Sequence, residues 1–146
     1  MNFYFISEGG TMKGEVEIKV RGYHLDIYAH VNNARYVEFL EEGRWALFDD
    51  SDIGKEMISR GFAFTVVNIN VSYLSEARAN DVLVIVTEEK KVGNKSITLS
   101  QKIFRKADMK QVVDAEVTFV LFNMKTGKAV VIDDEIKSIL CTARTL

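Results

Sequence analysis

Proline is absent from this sequence, and cysteine occurs once, at Cys141. A single cysteine excludes an internal disulfide bond and is typical of a protein from a reducing compartment. No apolar run approaches the roughly 18 residues that a membrane-spanning helix needs. Residues 1–12 also lack the basic start and long apolar stretch of a secretory signal. We therefore expect a cytoplasmic protein that has no membrane partner.

An excess of either charge is also missing, since 19 Lys and Arg residues nearly balance 21 Asp and Glu residues. Domains that bind nucleic acid usually carry a basic surface, so we expect no nucleic-acid partner. The only two histidines, His24 and His30, lie in one turn with no further His or Cys cluster to complete a set of ligands. The sequence therefore predicts no metal site.

The chain is long enough, at 146 residues with 47% hydrophobic content, to form one domain with its own core. No internal repeat or low-complexity linker divides it. Residues 1–11 end near Gly9-Gly10 and precede a second methionine, Met12. We interpret residues 1–11 as a leftover of the expression vector or a disordered leader, and residues 12–146 as the single domain.

A polar turn between a predicted strand and a predicted helix holds the most reactive side chains. Alternating apolar and charged residues predict a half-buried strand over residues 14–21. Apolar residues at spacings of three and four predict a helix from Asn33 to about Asp50. Both histidines, Asp26 and the pair Asn32-Asn33 lie between them. Asn32 is the predicted N-cap of the helix.

The rest of the chain is predicted to be mostly β structure. After a short helix or irregular link at residues 51–61, strands are expected over residues 62–74, 81–91, 95–106 and 110–124, and a last helix over residues 133–145. The apolar phase changes near Val66-Val67, which predicts a bulge. We expect an α+β fold in which about five antiparallel strands cover one long helix. The other face of the sheet, or an exposed edge, must be covered by a second copy.

The turn has the components of acyl chemistry. Free N–H groups and the dipole at a helix start stabilise negative charge on a carbonyl oxygen, and Asp26 provides a carboxylate beside them. Simpler structural roles stay open at this point. Asp26 is also suited to cap the turn. His30 is also suited to a packing or capping role. Glu41 and Glu42 are suited to form a solvated edge of the helix rather than to supply a carboxylate base.

The stretch from Gly22 to Glu42 resembles the signature of hotdog-fold acyl-CoA thioesterases of the 4-hydroxybenzoyl-CoA thioesterase type, particularly the bacterial long-chain acyl-CoA thioesterase III branch. The core of the likeness is Asp26-x-x-x-His30-Val-Asn-Asn, and it extends over residues 16–128. The resemblance implies a curved antiparallel sheet around the helix, with Asp26 as nucleophile or general base and the N–H near Asn33 polarising the thioester carbonyl. His30 matches a catalytic histidine of plant acyl-carrier-protein thioesterases, but Tyr28 replaces their asparagine.

The resemblance also implies a set of substrate contacts. The acyl chain is expected between helix and sheet, and basic loop residues are expected to meet the phosphates of coenzyme A. The candidate substrate-binding residues are Tyr28, Asn32, Tyr36, Val37, Leu40, Phe64, Val66, Arg78 and Lys95. For each apolar member of this set, an ordinary place in the core is the alternative.

The expected function is hydrolysis of a medium- to long-chain fatty acyl-CoA to free acid and coenzyme A. No cofactor is expected, because coenzyme A is part of the substrate. The partners are the acyl-CoA and further copies of the chain, as dimers that pair into a tetramer. Two alternatives are a hotdog hydratase or dehydratase acting on acyl thioesters, and a non-catalytic module that only binds them.

Overall fold

The longest helix, α1 (Asn33–Asp49), packs on one face of a sheet in the computed structural model of the chain, which describes residues 3–4, 11–49 and 52–142. All neighbouring strands are antiparallel, and their order is β1-β2-β4-β5-β6-β3. The strands are β1 (Phe3–Tyr4), β2 (Lys13–Lys19), β3 (Phe62–Tyr73), β4 (Val82–Val92), β5 (Ser96–Arg105) and β6 (Lys110–Asn123). A short 3₁₀ turn (Gly22–His24) follows β2, and the other helices are α2 (Ile53–Ser59) and α3 (Asp134–Thr142). The predicted α+β fold is confirmed.

Every predicted strand and helix is present, with ends that differ by a few residues at most. The two-residue strand β1 was not predicted; it pairs with β2 through Phe3 opposite Glu15 and Tyr4 opposite Gly14. Residues 1–2, 5–10, 50–51 and 143–146 lie outside the described residues, so the interpretation of residues 1–11 stays a prediction. Among the described helices, none is long and apolar enough to cross a membrane.

The predicted bulge in β3 is confirmed, because the register against β6 shifts between Val66 and Asn68. A bulge inserts one extra residue, which moves the residues after it to the other phase of the pleat. Val66 therefore pairs with Phe119 before the bulge, and Ile69 pairs with Val117 after it. Both apolar halves of the strand consequently turn toward α1.

The buried side chains form two clusters along α1. The first surrounds the beginning of the helix and includes Tyr36, Phe39 and Leu40; the second surrounds its end and includes Leu47, together with residues of α2 and α3. Gly43 lies between them, where an added Cβ would come within 2.6 Å of Ile85. The helix therefore approaches β4 and β5 closely at this glycine.

The sheet face turned away from α1 is polar. Outward side chains form ion pairs across this face, such as Lys13 of β2 with Glu88 of β4 and Lys90 of β4 with Glu116 of β6. Strand β3 is different, because it is an edge of the sheet and exposes Val66 and Val67. Of the two surfaces expected to need a second copy, the edge is therefore the apolar one.

Candidate active site

The turn that carries Asp26 is held by backbone hydrogen bonds on both sides. Leu25 and Val31 form an isolated antiparallel bridge, so the chain doubles back across residues 26–30. The Asn32 N–H donates to the His24 carbonyl at 2.9 Å, and the Val31 N–H donates to the Ala77 carbonyl at 2.9 Å. The turn is thus fixed to both the 3₁₀ turn and the segment between β3 and β4.

Inside the turn, Asp26 interacts through its backbone and through one carboxylate oxygen. Its N–H donates to the His30 carbonyl at 2.8 Å, while Oδ1 accepts the Tyr28 N–H at 2.8 Å and, more weakly, the His30 N–H at 3.4 Å. Asp26 does cap the turn, as the structural alternative proposed. These contacts also fix the carboxylate, and Oδ2 has no hydrogen-bond partner among the described residues.

A backbone outlier lies in the same turn. Ala29 has φ of +57°, a left-handed conformation that residues with a side chain adopt only rarely. Its N–H donates to the Asp26 carbonyl at 3.1 Å, which closes the turn around that conformation. Such outliers persist where the surrounding contacts enforce them, and they concentrate at functional sites.

The helix starts directly after this turn. Asn32 Oδ1 accepts the Ala34 N–H at 3.0 Å, which confirms Asn32 as the N-cap. Tyr73 donates its hydroxyl to the Asn33 carbonyl at 3.1 Å and so ties the end of β3 to the helix start. The Asn33 N–H itself has no acceptor within the described part of the chain, so it is available to a ligand oxygen.

The two histidines have different surroundings. His24 is buried against Phe39, with ring centroids 5.0 Å apart, and its Nδ1 accepts the Arg21 N–H at 2.9 Å. Burial lowers the pKa of His24, and the positive charge of Arg35 acts in the same direction. His30 is only half-buried. His24 therefore has a structural role, and His30 is the histidine that a ligand can reach.

Two of the predicted acyl contacts lie in the core. Leu40 is fully buried in the first cluster, and so is Tyr36, whose ring packs against Phe39 and Tyr73. Burial raises the pKa of Tyr36 to about 12. The buried hydroxyl of Tyr36 has no hydrogen-bond partner among the described residues. Val37, one turn from the helix start, is half-buried. For Tyr36 and Leu40 the ordinary-core alternative fits the structure better.

The other two predicted acyl contacts, Phe64 and Val66, line an open cavity of about 400 Å³ between α1, α2 and β3. That volume is within the range of small-molecule sites. The remaining lining residues are Glu41, Arg44, Trp45, Phe48, Gly54, Met57, Ile58, Ala63 and Phe119. None of these was predicted to bind substrate. A usable signal was Arg44, a charged residue on the otherwise apolar stripe formed by Leu40 and Leu47.

The predicted phosphate contacts lie at opposite ends of the sheet. Arg78 follows Ala77, the residue that anchors the Asp26 turn, and its side chain is exposed. Lys95 lies in the hairpin between β4 and β5, beside the end of α1. Tyr28 is 73% exposed at the tip of the turn. Within one chain, Tyr28 lies in the Asp26 turn and the segment that carries Arg78 is bonded to it, whereas Lys95 lies at the other end of the sheet.

Among the described residues, no group of three or more His, Cys, Asp and Glu side chains is placed to bind a metal ion. The candidate site consists instead of the fixed carboxylate of Asp26, the available N–H of Asn33 and the accessible ring of His30. A carboxylate beside a donor for a carbonyl oxygen is suited to attack on an acyl group.

Comparison with known proteins shows which family the chain belongs to. The profile of the thioesterase-like superfamily matches residues 20–140 of the chain. The long-chain acyl-CoA thioesterase FadM of Escherichia coli is 46% identical over 84% of this chain and 93% of its own length. The chain belongs to the thioesterase-like superfamily.

Two further proteins are similar to this chain, one in structure and one in sequence. The crystal structure of YbaW, a probable thioesterase from Escherichia coli, superposes with a TM-score of 0.85 at 44% identity and covers 90% of this chain and 98% of that one. The chloroplastic acyl-acyl carrier protein thioesterase ATL2 of Arabidopsis thaliana is 30% identical over 76% of this chain and 60% of its own length. The predicted hotdog fold and thioester-hydrolase class are confirmed. The roles of Asp26, His30 and Asn33 stay predictions.

Proposed function

We propose that the chain hydrolyses medium- to long-chain acyl-CoA thioesters to the free acid and coenzyme A. The observation that carries this proposal is that the turn fixed by Asp26 leads directly into the start of α1. One carboxylate oxygen is fixed by backbone donors, the other is free, and the Asn33 N–H lacks an acceptor within the described residues. Its relative FadM, named for long-chain acyl-CoA, supports the substrate class.

In the proposed reaction the thioester carbonyl oxygen accepts the Asn33 N–H, where the helix dipole also stabilises the charge that develops. Asp26 either bonds to the thioester carbon, expelling the thiolate to leave an anhydride that water cleaves, or takes a proton from the attacking water. One such donor is typically worth about 10² to 10³ in rate. Neither route requires a cofactor.

We propose that the coenzyme A part of the substrate extends from the Asp26 turn past Arg78 and Tyr28. Arg78 lies at this end of the sheet, and its guanidinium is exposed; among the described residues its ionic partner is Glu76, at 4.0 Å. Its backbone N–H is held by the Asp81 carboxylate at 2.8 Å, which fixes the loop. An exposed arginine of this kind is well suited to a phosphate.

We propose that the acyl chain occupies the apolar cavity, which lies beside Phe48 near the other end of α1. Asn33 and Phe48 are 15 residues apart on the helix, and a rise of 1.5 Å per residue separates them by about 22 Å. The nearest lining residue on the helix, Glu41, is eight residues or about 12 Å from Asn33, so the cavity does not reach the Asp26 turn of its own chain.

A two-fold dimer through the β3 edges removes this separation. Ala63 and Phe64, near the start of β3, line the cavity, whereas Tyr73, at its end, contacts Asn33. If two β3 strands pair antiparallel, the Asp26 turn of one copy lies next to the cavity of the other. The exposed edge, with Val67 57% and nearby Trp45 58% exposed, favours this pairing. We also propose that these dimers pair into a tetramer. The single cysteine supports a cytoplasmic location, which completes the proposal.

The proposed function is tested by free-thiol release from a panel of short, long and aromatic acyl-CoAs. Asp26→Asn keeps an oxygen for the Tyr28 N–H but removes the base or nucleophile. We expect turnover to fall by at least about a hundredfold without loss of folding. The matched control is Asp114→Asn, an exposed aspartate on the outward face of β6, which should leave turnover unchanged.

Two results would overturn the proposal. Binding of acyl-CoA without thiol release by the wild type would favour a binding module, and release by Asp26→Asn at the wild-type rate would remove Asp26 from the reaction.

A further inference from the structure

The apolar cavity contains one half-buried positive charge, on Arg44, whose role is not explained by thioester cleavage. Its walls are formed by aromatic and aliphatic side chains, among them Trp45, Phe48 and Phe64. The charged residues that line it are Glu41, which is exposed, and Arg44, which is half-buried. Burial lowers the pKa of Arg44, as expected for a cation held among apolar groups.

Arg44 has no close ionic partner within the described part of the chain, although the negative charge of Glu41 partly offsets the effect of burial on its pKa. Among the described residues no carboxylate lies within 4.0 Å of its guanidinium. Its side-chain hydrogen bond is to a neutral group: Nη1 donates to Gln101 Oε1 at 3.0 Å. A guanidinium has five N–H donors, so most of its capacity is left for a ligand.

The amide that holds Arg44 is itself fixed in place. Gln101 is completely buried and donates both amide hydrogens, to the Leu40 carbonyl at 2.8 Å and to Thr87 Oγ1 at 2.8 Å. Its oxygen therefore has one orientation, toward Arg44. Gly43 makes room for this arrangement, since a Cβ there would lie 3.1 Å from Gln101 Nε2 and 2.9 Å from Thr87 Oγ1.

A purely hydrocarbon chain that filled this cavity would cover Arg44 without offering it an acceptor. Burying donors without acceptors costs free energy, and a site with buried donors selects against ligands that lack the matching group. An acyl group with an oxygen at the right position avoids this cost.

We propose that Arg44 determines substrate specificity by binding an oxygen substituent, in the form of a hydroxyl, oxo or carboxylate group, on the acyl chain. This inference rests on the proposed function, because it assigns the cavity to the acyl part of a thioester. Gln101 is the positioning residue that keeps the guanidinium directed at the cavity.

The test compares kcat/KM for dodecanoyl-CoA with kcat/KM for dodecanoyl-CoAs that carry a hydroxyl, oxo or carboxyl group at successive positions. We expect the wild type to prefer at least one oxygenated substrate by about ten- to a hundredfold, the value of one hydrogen bond to a charged group. Arg44→Met should reduce that preference to within about twofold, and Arg44→Lys should restore part of it.

The matched control is Arg60→Met, which removes an arginine at the end of α2 that pairs with Glu56 and Glu135 outside the cavity. It should leave the preference unchanged. Equal kcat/KM for plain and oxygenated substrates in the wild type would overturn the inference, and so would an unchanged preference in Arg44→Met. A weaker dimer in Arg44→Met with an unchanged preference would show instead that Arg44 pairs with a second copy.

Failure of the proposed function has a different signature. If the wild type releases no thiol from any substrate, calorimetric binding of the free dodecanoic acids, with and without the oxygen substituent, still measures the preference. Selective binding by the wild type that Arg44→Met loses would support the role of Arg44 without hydrolysis. Equal binding of all the acids would overturn it.

Discussion

At the scale of single residues, His24 links the site to the stability of the fold. Its ring is buried, and Nδ1 accepts the Arg21 N–H, which requires that nitrogen to be unprotonated. Burial lowers the pKa of His24 from its usual 6.5. The unfolded chain therefore binds the proton more tightly than the folded chain. It follows that the free energy of unfolding falls as the pH drops from above 6.5 toward the folded pKa.

We expect the free energy of unfolding of the wild type to fall between about pH 7.5 and pH 5.5. The fall should be smaller in His24→Asn. Asparagine retains an acceptor at the δ position but cannot titrate. Urea unfolding of both proteins at the two pH values measures the effect, and the difference between the proteins removes the contribution of other groups. A wild type and variant with parallel pH dependence would contradict this account of His24.

The sequence predicted the residues of the turn better than those of the cavity, because the turn is held by contacts between residues that are close in sequence. Asn32 caps the helix through a bond to a residue two positions away, and Asp26 binds amides two and four positions away. The contact between Arg44 and Gln101 joins residues 57 positions apart. No local pattern reports which strand residue will face a given helix residue, so this part of the site required the fold.

At the scale of elements, α1 approaches β4 and β5 closely at Gly43. Gly43→Ala adds a Cβ 2.6 Å from Ile85 Cγ2, in a fully buried position. Alanine is favoured over glycine in a helix by about 1 kcal/mol, while overpacking a core costs about 1 to 3 kcal/mol. Because the Gln101 amide must also shift, we expect the free energy of unfolding to fall by about 1 to 2 kcal/mol.

The control for this substitution lies in α2. A Cβ added at Gly54 meets no atom within 4 Å, so Gly54→Ala should be neutral or stabilising by up to about 1 kcal/mol. Chemical denaturation of both variants measures the two effects. Equal stability of Gly43→Ala and Gly54→Ala would contradict the close approach at Gly43.

Strand β3 shows what the sequence predicts about an element and what it does not. The change of apolar phase at Val66-Val67 predicted the bulge, because only an extra residue lets both halves face the helix. The edge position of β3 was not predicted, since strand order depends on pairings between distant segments. It places Phe62–Tyr73 beside β6 and leaves the other side of the strand open.

At the scale of the whole molecule, the proposed active site is shared between two copies. A shared site predicts that two inactive variants restore activity when they form a mixed dimer, whereas a site within one chain does not. Asp26→Asn removes the carboxylate but leaves the cavity. Gly54→Trp fills the cavity from a position with open space around its Cβ and leaves Asp26 in place. Each variant alone is expected to be inactive toward long-chain acyl-CoA. In a mixed dimer of the proposed geometry, the intact Asp26 of one copy faces the intact cavity of the other.

Unfolding and refolding the two variants together should therefore restore about a quarter of the wild-type activity, because half of the dimers are mixed and each has one complete site of two. Refolding each variant alone is the control. If both halves of the site belonged to the same chain, every copy in the mixture would have one defect and no activity would return. Activity that returns only in the mixture, together with a dimeric mass in light scattering, would assign the Asp26 turn and the acyl cavity of each working site to different copies.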